Sequence, residues 1–253
     1  MSDWLRRFIH ANRRASTAMN NLLPLSLRRD GNNHFRTRIL PDAMRNGATV
    51  YEVGGGSQPF ADADTKRRLG LRTVGIDVDA DELAAAPEGT YDEVIVADLC
   101  RYKGDADADI VICQATLEHV HDTRAAILAI ASILKPDGLA YIFAPSRNAV
   151  FARLNLILPQ GLKEKILYAV SPEVKDHQGF PAHYDQCVPG KIEPIFNDVG
   201  LTDVQRELFW MSSYFMMFTP LCVVWRLWQG LFYLVAGDNA AETFIYVVQR
   251  KHR

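Results

Sequence analysis

Cysteine is scarce. The four in 253 residues, Cys100, Cys113, Cys187 and Cys222, stand singly. None has metal-ligand spacing and no disulfide framework is suggested, which fits a reducing compartment. The opening stretch around Trp4, Leu5, Arg6, Arg7, Phe8 and Ile9 holds no long apolar run and no cleavage signal. A secretory leader is therefore not expected, and the bulk of the protein is placed in the cytoplasm. Internal repeats and low-complexity tracts are missing too. So is a large charge of one sign, the net being −2. Its distribution is uneven: residues 1–40 carry eight arginines against two acids, Asp3 and Asp30, so a basic arm precedes an acidic body.

What is present is a globular composition, 48% hydrophobic and 23% charged. Apolar Trp4, Leu5, Phe8 and Ile9 recur at helical spacing and predict a basic helix over 2–19. A linker with Pro24 and Gly31 follows, then a helix over 34–46 interrupted near Pro41. Strands are expected at Thr49–Val53, Arg72–Ile76, Glu93–Ala97, Asp109–Cys113 and Leu139–Ala144, with helices between them. Asp122–Leu134 reads as a helix with Ile127, Ile130, Ile133 and Leu134 on one face. Later come a helix over 189–199 closed by Gly200 and strands at Thr202–Trp210 and Glu242–Gln249. Strands joined by helices imply a parallel sheet whose ligands sit at the carboxyl ends. The chain divides into a basic helical arm, 1–46, and a domain, 47–253, with insertions at 147–187 and 211–237.

Chemistry gathers at those strand ends. After the first strand comes Glu52-Val53-Gly54-Gly55-Gly56-Ser57, with Pro59 where a dinucleotide fold wants its third glycine. Glycines let backbone approach a ligand closely. Glu52 would repel a pyrophosphate and attract a ligand bearing an ammonium and a sulfonium. Asp77, ending the second strand, can accept hydrogen bonds from ribose hydroxyls; Asp98, after the third, can accept from an adenine amine. Val78 and Leu99 supply apolar contact to ring faces. The alternative for each acid alone is a turn or helix cap.

The runs Val50-Tyr51-Glu52-Val53-Gly54-Gly55-Gly56, Val74-Gly75-Ile76-Asp77-Val78-Asp79, Ala97-Asp98-Leu99, Asp109–Val120 and Leu134-Lys135-Pro136-Asp137-Gly138 resemble, in order, the motifs of class I S-adenosylmethionine-dependent methyltransferases. The resemblance covers residues 47–146 and, more loosely, 181–205. It implies an α/β fold: a Rossmann-like, doubly wound, mostly parallel seven-stranded sheet with an N-terminal helical arm and apolar helical insertions. It implies S-adenosyl-L-methionine as cofactor, with Glu52, Gly54 and Gly56 at the methionine end, Asp77 at the ribose, Asp98 at the adenine, and Gln114 lining the methionine by backbone contact; Gly55, Val78 and Leu99 complete the expected cofactor-binding set. Two positions depart from the family: Gln58 stands where many members have glycine, and Asp137 replaces the second glycine of the usual Pro-Gly-Gly turn.

For the methyl acceptor there are two clusters. Leu117-Glu118-His119-Val120 is similar to the segment in quinone-type and small-molecule O-methyltransferases. His119 is either a base or, with Glu118, part of the cap of the following helix. In Phe180-Pro181-Ala182-His183-Tyr184-Asp185, His183 and Tyr184 are either acceptor contacts or members of a packed loop. His119 and His121 lack a third partner, so no metal is expected. No Asn-Pro-Pro-Tyr-like run follows the fourth strand, which argues against adenine or glutamine amide acceptors.

Leu208–Trp225 is 18 residues without a charge. Pro220, the hydroxyl residues and Arg226 favour a re-entrant or interfacial helix over a span. With 1–29 and 147–170 it offers peripheral contact with the inner face of a membrane; the alternative is a helical cap or a dimer interface. The leading expectation is O-methylation of a lipid-linked sugar, glycolipid or other apolar small molecule. An RNA methyltransferase and an inactive cofactor-binding partner protein rank below it, because no RNA module accompanies the basic arm and the cofactor set is intact.

Overall fold

The computed structural model describes residues 3–158 and 180–251. Seven strands make one sheet: β1 (Thr49–Val53), β2 (Arg72–Asp77), β3 (Glu93–Val96), β4 (Ala108–Gln114), β5 (Leu134–Pro145), β6 (Leu201–Phe209) and β7 (Thr243–Arg250). Their order is β3-β2-β1-β4-β5-β7-β6. The first five run parallel, and β7 lies antiparallel between β5 and β6. The helices are α1 (Asp3–Asn20), α2 (31–43), α3 (Ala63–Leu69), α4 (Thr123–Ile133), α5 (Val150–Ile157), α6 (Pro189–Asp198) and α7 (Thr219–Ala236).

The sheet is buried on both faces, and strand alternation sorts its side chains into two cores. Val53, Val111, Cys113, Ile142 and Tyr246 face α4 and α6, which contribute Ile127, Ile130, Ile133, Ile192 and Phe196. Val50, Ile110, Ile112, Phe143 and Ile245 face the other way, against Phe35, Leu40 and Ala43 of α2. The stretch expected as an arm is therefore half core, since α2 covers one face of the sheet.

Local chemistry sets the element ends. Asp122 caps α4, its side chain accepting from the amide of Ala125, and Leu134 turns extended to end the helix. Strand β5 begins there, five residues earlier than the periodicity suggests, because Leu134 pairs with Ala108 ahead of a register shift. In the Lys135–Gly138 turn Asp137 has φ 64, a left-handed conformation in which glycine is the unstrained residue. The expected break at Pro41 takes the form of a π turn over Phe35–Ile39, just ahead of the proline that cannot donate an amide hydrogen bond.

The long uncharged run divides. Its first two residues finish β6, a 3-10 turn covers Tyr214–Met217, and α7 begins at Thr219 with Pro220 in its first turn. Among the described residues no helix is long and apolar enough to cross a membrane. Helix α7 buries Cys222, Trp225 and Gln229 and pairs with α1. Asn12 of α1 accepts from the amide of Thr219, capping α7, and Asn20 accepts from Arg226 at 2.8 Å. Of the insertion expected over 147–170, α5 is seen; residues 159–170 lie outside the described residues.

Ile130 is fully buried at the centre of the α4 face. Ile130→Ala is expected to lower unfolding free energy by about 2–5 kcal/mol. A urea titration checks this, and a loss below about 1 kcal/mol would mean that α4 does not carry the core as described.

Candidate cofactor and acceptor site

Parallel register brings the expected ligand-binding residues to one edge. Val53 lies opposite both Ile76 and Cys113, and Asp77 opposite Val96. The turn after β1 opens with Gly54, whose φ of 69 is left-handed and whose amide donates to the carbonyl of Ile76 at 2.7 Å. A Cβ there would lie 2.3 Å from Thr116 Oγ1, so only glycine fits. At Gly56 (φ 47) an added Cβ would sit 3.4 Å from both Asp77 Oδ2 and Glu82 Oε2. The turn therefore passes directly over the second-strand carboxylate.

Glu52 is buried beneath this turn. Its carboxylate accepts from the amide of Phe60 at 2.8 and 3.0 Å and from that of Ala61 at 3.3 Å. Burial pushes its pKa up to about 7, opposed by those amides and by the charge of Arg36. Asp77 is 9% exposed, with Oδ1 accepting from the amide of Asp79 at 3.0 Å; burial raises its pKa, against the pull of the amides of Asp79 and Val78. Asp98 Oδ1 accepts from the amide of Cys100 at 2.9 Å. The two apolar positions part company: Val78 is open to solvent, while Leu99 packs into the core.

Gln114 is engaged through its side chain as well. Its Oε1 accepts from Arg36 at 3.1 Å and its Nε2 donates to Asn32 at 2.7 Å. Arg36 lies over the ring of Phe60 as well. Thus α2 places a guanidinium beside the glycine turn, a part of the site that the sequence reading missed. Arg36 was one of eight arginines in a stretch taken as an arm, and nothing in its spacing set it apart. Tyr91, also missed, packs under Gly55 and Gly75 and holds the turn from below.

The two acceptor clusters, separate in sequence, meet in space. The amides of His183 and Tyr184 donate to the carbonyl of Glu118 at 2.7 and 2.9 Å. His119 Nδ1 is 3.1 Å from the carbonyl of Pro181, and Nε2 is 3.9 Å from Glu118 Oε1. The carbonyl can only accept, so Nδ1 carries a hydrogen, and in the neutral imidazole Nε2 then bears the lone pair. Glu118 is buried, and its Oε2 has no hydrogen-bond partner among the described residues. Burial pushes its pKa up to about 8. Tyr184 is buried beside it, with φ 49 and a hydroxyl held protonated by burial and the nearby Glu118. His183 is exposed. His121 turns away from His119, toward Asp98 and Cys100.

Known proteins resemble this arrangement at two levels. A family model described as a methyltransferase domain matches residues 25–187. Ubiquinone biosynthesis O-methyltransferase of Paracidovorax citrulli is 32% identical over 139 residues, 48% of this chain and 57% of that protein. The enzyme of the same name from Aeromonas salmonicida is 24% identical over 57% of this chain and 61% of its own length. The chain thus matches little more than half of these relatives. Among solved structures, a SAM-dependent methyltransferase from Methanosarcina mazei aligns with TM-score 0.54 and 15% identity over 85% of this chain and 98% of its own. Haemonchus contortus phosphoethanolamine N-methyltransferase 2, in complex with S-adenosyl-L-methionine, aligns with TM-score 0.53 and 17% identity over 95% of this chain and 57% of its own. These structural likenesses carry the fold.

Three buried carboxyls set a pH dependence. Glu52 and Glu242 are pushed up to about 7 and Glu118 to about 8, from 4.5. Between pH 4.5 and those values the native state keeps protons that the unfolded chain has released, so stability falls as pH rises through that window. Urea midpoints measured from pH 5 to pH 8.5 should decline, and Glu118→Gln should flatten the upper part of the slope. A midpoint that climbs across this range contradicts the assignment.

Proposed function

Because the chain belongs to the S-adenosylmethionine-dependent class I methyltransferase family, we propose that it binds this cofactor along the β1–β3 strand ends and methylates a hydroxyl of an apolar, lipid-linked acceptor at a membrane surface. The observation that carries the cofactor half is the row of glycine turn, Asp77 and Asp98 on one edge, with a guanidinium beside it. That set suits a ligand with an ammonium, a carboxylate and a ribose, and it offers no anion cradle for a pyrophosphate.

S-adenosylmethionine supplies a methyl group already activated on its sulfonium. The chain's own groups then divide the work. Glu52 holds the turn in shape through the amides of Phe60 and Ala61, with Gly54, Gly55 and Gly56 lying against the methionine end. Arg36 meets the carboxylate of that moiety, and Gln114 fixes Arg36. Asp77 takes the ribose hydroxyls with Val78 alongside, and Asp98 takes the adenine amine. His119 would take the acceptor hydroxyl's proton at Nε2, with the Pro181 carbonyl stabilising the imidazolium through Nδ1–H, and the methyl would pass from sulfur to that oxygen, leaving S-adenosylhomocysteine. The Tyr184 hydroxyl donates to the acceptor, and His183 stands at the open rim. Holding acceptor and methyl in line supplies much of the rate, on the order of 7–11 kcal/mol in well-oriented cases.

The acceptor class is supported by α7 and by the relatives' names. Its solvent side bears Val224, Leu227, Trp228, Leu231, Leu234 and Val235, the last 87% exposed. Exposed side by side on one helix, these residues form a contiguous apolar face of the kind that marks an interaction surface. Arg226, the helix's one charge, turns inward to Asn20 and the carbonyl of Trp210. Arg6, Arg7, Arg13 and Arg14 on the partnered α1 add positive charge suited to anionic headgroups. The relatives named for ubiquinone biosynthesis O-methylation favour an oxygen acceptor on an apolar molecule such as a quinone precursor.

Calorimetric titration with S-adenosylhomocysteine tests the cofactor half. Wild type should bind, and Asp77→Ala should weaken binding about tenfold or more, as loss of a charged hydrogen-bond acceptor requires. No binding by folded wild type sinks the reading. Flotation with phosphatidylglycerol vesicles tests the membrane half. Wild type should rise with the vesicles and a Leu231→Glu, Leu234→Glu variant should stay below; wild type that stays at the bottom refutes membrane contact.

A further inference from the structure

We propose that Asp98, Cys100 and His121 form a binding site for a borderline divalent cation, best suited to Zn2+, and that the ion and the cofactor's adenine weaken one another's binding there. The second half rests on the proposed cofactor reading; the first stands on the side chains alone.

A carboxylate oxygen, a thiol sulfur and an imidazole nitrogen from these residues all lie within 4.8 Å of one another. In a tetrahedral zinc site the metal sits about 2.0–2.3 Å from each ligand, which puts ligand atoms about 3.3–3.8 Å apart. An approach of about 1 Å therefore closes the site. Two of the ligands are pre-positioned. The amide of Cys100 donates to Asp98 Oδ1 at 2.9 Å, so carboxylate and thiol share one tight turn. Cys100 Sγ reaches the carbonyl of Asp122 at 3.4 Å, which brings the sulfur to the segment that carries His121. Asp122 in turn caps α4 and holds that segment still. His121 is exposed, on the open side of the cluster.

The donor set selects the ion. Oxygen, nitrogen and thiolate together suit zinc; magnesium and calcium want oxygen alone. Three protein ligands leave a fourth position for water. The charged groups that face the site are Asp98 itself, Asp122 and the exposed Arg101, whose Nε is 3.7 Å from Asp98 Oδ2. Burial and the two acids keep the Cys100 thiol protonated above its ordinary value. Binding therefore forms a zinc–sulfur bond, breaks the S–H bond and releases one proton to solvent, with no redox change. An ion on Asp98 draws on the same carboxylate and sets a positive charge beside the hydrogens of an adenine amine, so the two bindings oppose one another. Linkage then requires that each ligand weaken the other by the same factor.

His121 lies 21 positions beyond Cys100 in sequence, which is why two neighbouring histidines looked partnerless. His119 and His121 do not share a site. The partners of His121 come from the β3 end.

Co2+ titration of the full chain is the test, because cobalt bound to a thiolate gives a near-ultraviolet charge-transfer band. Wild type should develop the band and lose it to added Zn2+. Cys100→Ser should abolish it, and His121→Ala should weaken cobalt binding about tenfold or more. In unaltered protein, Zn2+ should also slow alkylation of Cys100, a readout that needs no variant. No thiolate band, or a band kept at full affinity in His121→Ala, overturns the site. Saturating Zn2+ should weaken S-adenosylhomocysteine binding about tenfold in wild type; unchanged binding overturns the coupling. A cobalt band in protein that binds no S-adenosylhomocysteine would leave the ion site standing and remove the cofactor reading.

Discussion

The strand register between β1 and its two neighbours is the constraint on which everything else rests. Val53 sits level with Ile76 and Cys113. Slide β2 by one residue and Asp77 leaves the Gly56 turn while Val74 and Ile76 both turn to the opposite face. The register is fixed because both faces are buried: Val50 and Val53 point to opposite cores, and neither core accepts the other's side chains. Binding geometry and stability are thus set by the same rungs. Glu52 then carries the register outward, through two backbone amides, into the loop that a ligand would meet.

The parts legible in the sequence are those written in local periodicity. Strands β1 to β4 and the α4 face, with Ile127, Ile130 and Ile133 inward, follow from alternation and from helical spacing. The position of the acids at the ends of β2 and β3 follows too, and there Asp77 and Asp98 accept from the amides of Asp79 and Cys100 as turn residues do. What escaped notice was long-range. Phe35 and Leu40 look like members of a peripheral helix and prove to cover the sheet. Arg36 reaches Gln114 across 78 positions. The joining of Glu118 to His183 and Tyr184 spans more than 60 positions and uses a backbone carbonyl, which no residue pattern records. Leu208–Trp225 reads as one uncharged run, yet it crosses from strand through turn to helix, because hydropathy does not register the cap that Asn12 provides.

The mixture of neutral and ionised acids along the working edge has a common origin. Glu52 and Glu118 are both taken out of water, but their surroundings differ. Glu52 is met by amides and a nearby arginine, so its carboxylate is satisfied even where it is costly to charge. Glu118 has an oxygen with no partner among the described residues and tyrosines and thiols for neighbours. One acid shapes a loop; the other sits beneath the imidazole of His119 as a group poised between two protonation states.

Between Phe209 and Glu242 the chain leaves the sheet, builds the turn at Tyr214 and the whole of α7, and returns to the rung it left. The amide of Glu242 donates to the carbonyl of Phe209 at 2.9 Å, and Phe209 pairs with Thr243. The excursion begins and ends on adjacent atoms, so the sheet is indifferent to its content. Trp225 and Gln229, which both donate to Glu242, are the rivets that hold this particular cargo down. The stretch is a cassette: it can change what the molecule touches while the open sheet beneath stays unaltered.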